Sequence, residues 1–483
     1  MTRRPTAALA FAAVLVLAGC TVGYGPADAP ERSAPSGGDP LGYYDGYWHN
    51  DTFAIDAEDG LSAAETEAVV SRAMARVQLL RGLRFESDVE VEVVSRETFR
   101  EEIDGVWSPP GPDRRALDNA QHEALFLVGP DEDAADARRA NRGGVVLGFY
   151  QPAEDRIVVV SGSDPATLNG ETTLAHELLH ALQDQRFGLA SDASTLDSIN
   201  ARNGLIEGDA TVVERAYRRN CRRGEWQCFG AETGGSALPS EFHWGVYFLG
   251  FFPYAEGPGF VEYHRDRGGW AAIDRAYDDV PSSSAAIIAP GTYGTDAYGE
   301  ATLDDRSGPG WERVTVEGGA DAATVGQAGL ASMFAYTAYA GDSPGVIGRE
   351  QFRADARGRY TYDVEYTTGW YGDRLHAYER DGETAYVWNV TFNDRANATA
   401  FAEGYAEVAA HWNGERRVRG DATVWAFDRT DRFRGVVRIE REDNAVTVIK
   451  APTEAALGDV YGPAAVSDAS GVAAASDPAD ASG

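Results

Sequence analysis

"TLAHELLHALQDQRF", residues 173–187, sets two histidines on either side of Glu177-Leu178-Leu179, with no glycine or proline and with leucines at helical spacing. Residues four apart on a helix share a face, so His176 and His180 can hold one cation between their imidazoles, while Glu177 lies about 100° round the same turn. In an H-E-x-x-H pattern the two histidines bind zinc and the glutamate handles a water molecule. The competing reading is a buried helix whose histidines are satisfied by backbone carbonyls. A catalytic zinc takes three protein ligands and keeps one position open, so the metal reading needs a third donor on a nearby element. Glu207 is the leading candidate, in "LIEGDATVVERAY" (205–217) on a second helix expected over Leu196–Tyr217. Gly208 beside it would let that helix pack closely against the first. Asp197, Asp209 and Glu214 are further carboxylates on the same segment.

Outward from this pair, Ser62–Leu80 opens with a residue suited to an N-cap and carries apolar residues at spacings of three and four, which predicts a helix. "DVEVEVVS" (88–95) largely alternates and reads as a strand, and "GGVVLGFY" (143–150) and "RIVVVSG" (156–162) read as a hairpin leading into the histidine helix. Downstream come an aromatic stretch (242–260), a helical segment (268–279) and a loop (280–294). A helix over Ala323–Tyr339, a hairpin over residues 373–392, a helix over Arg395–His411 and strands over 434–443 and 445–451 complete the pattern. Helices and hairpins without regular βαβ alternation predict an α+β fold. The expected division is a catalytic domain over 46–305 and an α+β C-terminal region over 306–462.

The chain carries 76 acidic and 43 basic residues, for a net charge of −33, and Lys450 is its only lysine. Such a surface excludes nucleic-acid binding by phosphate neutralisation. The acidic residues run from end to end rather than in one block, which favours a hydrated surface suited to concentrated salt over steering of a cationic partner. At the N-terminus, Arg3 and Arg4 precede a short apolar run ending in Leu17-Ala18-Gly19-Cys20. A charged start, a short apolar core and small residues before a cleavage point predict a signal peptide over 1–19. Cys20 at the cleavage point resembles a lipobox, which would place the chain on the outer face of the membrane, held by lipid on that cysteine. An uncleaved membrane anchor is the alternative. Residues 20–45 read as a flexible tether, and 463–483 as a disordered acidic tail. Cys221 and Cys228, close together in an extracellular chain, are expected to form a disulfide. Asn50, Asn389 and Asn397 are sequons.

"TLAHELLHALQDQRF" followed by "LIEGDATVVERAY" resembles the gluzincin type of zinc metallopeptidase, in which a glutamate on a second helix is the third ligand. More closely, the chain resembles a family of surface lipoproteins of halophilic archaea with bacterial relatives, through "LLRGLRFESDVEVEVVSRETF" (79–99), "FFPYAEGPGFVEYHRDRGGW" (251–270), "VPSSSAAIIAPGTY" (280–293) and "GWYGDRLHAYE" (369–379). The resemblance implies a zincin-like domain, His176, His180 and Glu207 as zinc ligands, Glu177 as general base, and a protein or peptide as substrate. Many gluzincins place an aspartate four residues after the ligand glutamate to orient a histidine. Here that position is Thr211, which leaves Asn203, Thr211 and Glu214, on the face of Glu207, as candidates for the task. Tyr247, Tyr254, His243 and His264 are candidates for a second oxyanion donor. Arg156–Ser161 resembles the edge strand on which such peptidases align an extended peptide. Against catalysis stands an inactive binding or structural lipoprotein that keeps the fold, and the aromatic stretch allows a solute-binding surface protein.

Overall fold

The computed structural model describes residues 40–55, 61–106, 110–162, 168, 170–230, 242–320, 322–341, 344–354, 359–419 and 422–463. The expected signal peptide, Cys20, most of the tether and nearly all of the acidic tail lie outside these residues.

A two-stranded ribbon, β1 (Tyr43–Tyr44) and β2 (Tyr47–Trp48), precedes α1 (Ala63–Arg81), whose N-cap Ser62 accepts from Glu65 while the Glu65 side chain returns to the Ser62 backbone. This reciprocal capping box is why the helix starts where its apolar periodicity does. There follow β3 (Glu90–Ser95), α2 (Arg96–Val106), α3 (Pro112–Ala124), α4 (Ala134–Val145), β4 (Gly148–Gln151) and β5 (Arg156–Ser161). The helices α5 (Glu171–Phe187), α6 (Leu196–Arg222), α7 (Trp244–Gly268), α8 (Trp270–Asp278) and α9 (Ser284–Ile288) complete the N-terminal part. The histidine motif is on α5, and Glu207 is on α6.

The small sheet has the order β3-β5-β4, with β3 parallel and β4 antiparallel to β5. This corrects the expectation that Arg156–Ser161 is the edge. Its Ile157–Val160 run is buried throughout, and a continuous β-branched apolar run belongs to a strand covered on both faces. The edge strand beside α5 is β4 instead, among the described residues. A second correction concerns Gly208. A Cβ there would meet the backbone of Gly257 at 2.4 Å, and one on Gly257 would meet the Gly204 carbonyl at 2.2 Å. The glycines around Glu207 therefore serve the crossing of α6 with α7, not the packing of α6 on α5.

The C-terminal part comprises β6 (Glu312–Arg313), α10 (Gly326–Tyr339), β7 (Trp370–Arg380), β8 (Glu383–Phe392), α11 (Arg395–His411), β9 (Glu415–Arg419), β10 (Ala422–Phe427), β11 (Gly435–Glu442), β12 (Ala445–Ala451) and α12 (Leu457–Val460). Its strands form a seven-stranded antiparallel sheet in the order β6-β7-β8-β12-β11-β10-β9. Asp381 and Gly382 at the β7–β8 turn both have positive φ, 52° and 81°, the combination that a tight hairpin between twisted strands demands and that Asp-Gly supplies. Along β8, Ala385 and Val387 face the cluster closed by α12, while Tyr386, Trp388 and Val390 face the main core with α11. That main core runs without a break from Leu205 and Phe252 to Trp388 and Val448, so apolar packing crosses the expected 305/306 division. The fold is α+β. No helix among the described residues is long and apolar enough to cross a membrane.

Candidate metal centre

The N-terminal end of α5 is held by buried charge. Glu171 accepts from Arg72 at 3.1 Å, Arg76 at 2.6 Å, the Tyr217 hydroxyl at 2.5 Å and the Phe229 backbone at 2.9 Å. A buried carboxylate with four donors and two guanidinium partners is compensated, and removing one partner would expose the cost of burying the rest. Leu174, Leu178, Leu179 and Leu182 pack into the core under the small sheet. The opposite face turns its histidines toward α6.

There His176 Nε2 and His180 Nε2 lie 3.2 and 3.3 Å from the same Glu207 carboxylate oxygen. One ligand atom from each of the three residues falls within 4.8 Å of the others. Two imidazole nitrogens and a carboxylate converging from two helices could hold a metal ion, and this donor set suits zinc. The other nitrogen of each ring is also engaged. His176 Nδ1 lies 3.3 Å from Glu214, and His180 Nδ1 lies 2.9 Å from Gln183 Oε1. An acceptor at Nδ1 fixes the proton there and leaves Nε2 free to bind a cation. Glu214 is in turn paired with Arg218, while Gln183 donates to the Ile206 carbonyl at 3.0 Å and lies 3.4 Å from Asp209. Asp209, fully buried, receives Arg81 and the Tyr277 hydroxyl. Of Asn203, Thr211 and Glu214, it is therefore Glu214 that reaches His176. It sits two turns along α6 from Glu207, where the expected aspartate position would be one.

The electrostatics follow from burial among opposite charges. Burial pushes the Glu177 carboxyl up, against the two histidines, which favour its ionisation. Burial works against ionised Glu207 too, but His180 and His176 hold it well below the usual carboxylate range. Both imidazoles are raised despite their burial, His176 by Glu207 and Glu214 and His180 by Glu207, so protons compete with a cation for Nε2.

Glu177 itself depends on Gly148 at the start of β4. A Cβ there would lie 3.1 Å from Glu177 Cγ and 3.3 Å from Oε1, so the glycine makes room for the carboxyl beside the edge strand. Tyr254 of α7 stacks on His176 with ring centroids 6.2 Å apart and hydrogen bonds to Glu207. All of these groups open on a cleft of about 880 Å³ walled by α3, α4, α6, α7 and the segment before α10. Asn200, 5% exposed and two turns upstream of Glu207, lines the cleft with an Nδ2 that finds no acceptor among the described residues.

The remaining residues fall as follows. Tyr247 lines the cleft. His243 does not: it caps α7, accepting from Val246, and receives Arg432. His264 packs against Phe260 and Tyr293, away from the cleft. Cys221 and Cys228 form the expected disulfide at the end of α6. Asn50 is exposed, whereas the amides of Asn389 and Asn397 hydrogen bond to the Thr302 carbonyl and to Asp394. The sequence reading passed over Gln183, Gly148 and Asn200. A glutamine three residues after a histidine looks solvated, and only a glycine opening a strand hinted at close approach.

Residues 312–461 match a family model described as a domain of unknown function, DUF8575. The match coincides with the seven-stranded sheet and its helices and excludes α5 and α6. The search of curated proteins found no match to the chain.

Proposed function

We propose that this chain is a zinc-dependent peptidase with a zincin-like N-terminal domain, anchored by lipid on Cys20 to the outer face of the cell membrane. The observation that carries the reading is the convergence of His176, His180 and Glu207 on one point, with Glu177 buried beside it in an open cleft. When bound there, zinc supplies an acidified water and a Lewis acid for the substrate carbonyl. Glu177 takes the proton of the attacking water, which its raised affinity for protons favours, and returns it to the departing amine nitrogen. Tyr254, beside His176, donates to the oxyanion as it develops. The backbone edge of β4, unpaired among the described residues, aligns an extended peptide irrespective of its side chains, and Asn200 Nδ2 offers a donor to one of its carbonyls. Hydrolysis of an amide is the reaction class these groups serve.

The test is hydrolysis of casein or a fluorogenic peptide in high salt by the zinc-loaded full chain and by its Glu177→Gln variant. Activity in the first and none in the second is the expected outcome. A folded, zinc-loaded chain that cleaves nothing would replace this reading with a binding or structural lipoprotein that has kept the fold.

A further inference from the structure

Of the chain's 43 basic residues only one, Lys450, is a lysine. Every other is an arginine, including the buried Arg72, Arg76 and Arg81, each of which meets a carboxylate. An ion pair by itself is served better by a guanidinium, which presents a planar fork of donors and keeps its charge. What an amine has and a guanidinium lacks is a nucleophilic nitrogen.

Lys450 is placed for that chemistry. It is 4% exposed, on β12, with Tyr386 of β8 and Val437 of β11 directly across from it on either side, both in the main core. Gly435 at the start of β11 has a φ of +116°, and a Cβ there would lie 3.2 Å from the lysine Cε, so the glycine leaves room for the stem. The ammonium meets the carboxylate of Glu123 on α3, itself 7% exposed. Tyr386 hydrogen bonds to Tyr405 of α11, and the Tyr405 hydroxyl donates to the carbonyl of Ala124, the next residue after Glu123, at 2.8 Å. The two phenols, both buried, thus run from the strand of the lysine to the helix of the glutamate.

An ammonium and a carboxylate contain between them the atoms of one amide and one water. Taking both charges out of water is costly even when they are paired, and passage of one proton from Nζ to the carboxylate removes both. The Nζ lone pair then adds to Glu123 Cδ. A C–N bond forms, a carboxyl C–O bond breaks, and the departing hydroxyl leaves as water with the second amine proton, which the two phenols can relay. No oxidant, reductant or cofactor is consumed. Groups fixed against each other in this way react at effective concentrations of roughly 10⁵–10⁸ M, which favours the link over hydrolysis in a buried site.

We infer that Lys450 and Glu123 condense, without a second protein, into an isopeptide bond from Nζ to Cδ. Leu117, Asp118 and Gln121 of α3 wall the cleft, and β12 is the central strand of the seven-stranded sheet. The bond therefore fastens the site-bearing part to the C-terminal part covalently.

The experiment reads the sole lysine. The folded full chain is denatured, reduced, alkylated and digested with trypsin, and the peptides are identified by mass. A free Lys450 lets trypsin cut there and release residues 442–450. A linked Lys450 blocks that cut and gives a branched peptide, residues 116–138 joined to residues 442–483, lighter by one water than the two separately. More branched than free peptide is expected from the wild type, and only the free peptide from Lys450→Arg and from Glu123→Ala. Wild-type chain recovered unfolded from inclusion bodies should begin unlinked and gain the branched peptide on refolding in high salt, with nothing added and at a rate independent of protein concentration. A majority of free peptide from the folded wild type overturns the inference and leaves a plain ion pair. A branched peptide that persists in Glu123→Ala overturns the choice of partner. A chain that refolds by circular dichroism and stays unlinked overturns the unassisted step.

Discussion

On the proposed reading, Glu214, 3.3 Å from His176 Nδ1, would orient that ring as an aspartate one turn after the ligand glutamate does in many gluzincins. The side chain is one methylene longer, it sits one turn further along α6, and Arg218 holds it. Acceptors at Nδ1 raise the basicity of the ring and fix its orientation, and losing one typically costs 10- to 100-fold in metal affinity. Glu214→Ala should therefore weaken zinc by about that factor in a competition titration against a chromophoric chelator, whereas Thr211→Ala should leave the affinity within about twofold. Equal affinities for wild type and Glu214→Ala would remove Glu214 from the site. Tyr254→Phe tests the oxyanion role separately. Loss of one preorganised donor lowers kcat by roughly 10²- to 10³-fold, and KM should change little because the hydroxyl acts on charge that exists only in the transition state. That His176, Glu177 and His180 share one helix was readable from their spacing, whereas Glu207 was reached only through the need for a third donor, which the structure brings to within 4.8 Å of both histidines. Gln183 and Asn200 were not readable, since an amide shows its role only through the tertiary partner it meets or lacks.

At the scale of elements, periodic segments were legible and glycine- or proline-broken ones were not. The expected helix over Arg395–His411 and the strand over 445–451 match α11 and β12 residue for residue. The stretch 242–260, read only as aromatic, lies almost wholly in a 25-residue helix, Trp244–Gly268, that contains Pro253 and Pro258. Proline removes a backbone donor and disfavours a helix interior, but burial of Phe248, Phe252 and Phe260 in the main core overrides that local penalty. Residues Gly143–Val145, expected to open a strand, close α4 instead, and β9 and β10 were not anticipated. The crossing of α6 with α7 sets where Tyr254 stands, and it tolerates no side chain at its centre. Gly257→Ala should destabilise the protein by roughly 1–3 kcal/mol through overpacking, seen as a lower urea midpoint at unchanged slope, and should reduce activity by displacing Tyr254. Gly259→Ala, two residues away on the same helix, adds a Cβ with nothing within 4 Å. It should hold or gain up to about 1 kcal/mol through helix propensity. Similar losses in both would place the effect of Gly257→Ala in the helix itself, not in its crossing.

Over the whole molecule, the site-bearing helices and the C-terminal sheet are joined by buried polar groups as well as by a common core. Lys450, the chain's only lysine, reaches from β12 to pair with Glu123 of α3, and both are buried. Deeper in the junction, Asp197 at the start of α6 accepts the Ser284 backbone at 2.8 Å and its hydroxyl at 2.5 Å. Asp373 of β7 accepts the Val325 and Gly326 backbones, each at 2.9 Å, and the Trp388 indole at 3.0 Å. Gly326 separates the two carboxylates. Its φ is +73°, and a Cβ there would fall 1.9 Å from Asp197 Oδ1. Burial, with Asp373 adding to it against the Ser284 hydrogen bonds, pushes the Asp197 carboxyl up to about 7 from an ordinary 3.8. Between those two values the folded chain keeps a proton that the unfolded chain has lost. Its contribution to stability is thus complete below about pH 4 and declines by up to about 1.4 kcal/mol per pH unit until pH 7, after which it is constant. Asp197→Asn keeps the Oδ1 acceptor and cannot ionise, so it should lose this decline. Urea unfolding at pH 5 and pH 8 should show the wild type losing more stability between the two than the variant does, by on the order of a few kcal/mol. An equal loss in both would mean that the Asp197 carboxylate is as well accommodated in the junction as it is in water.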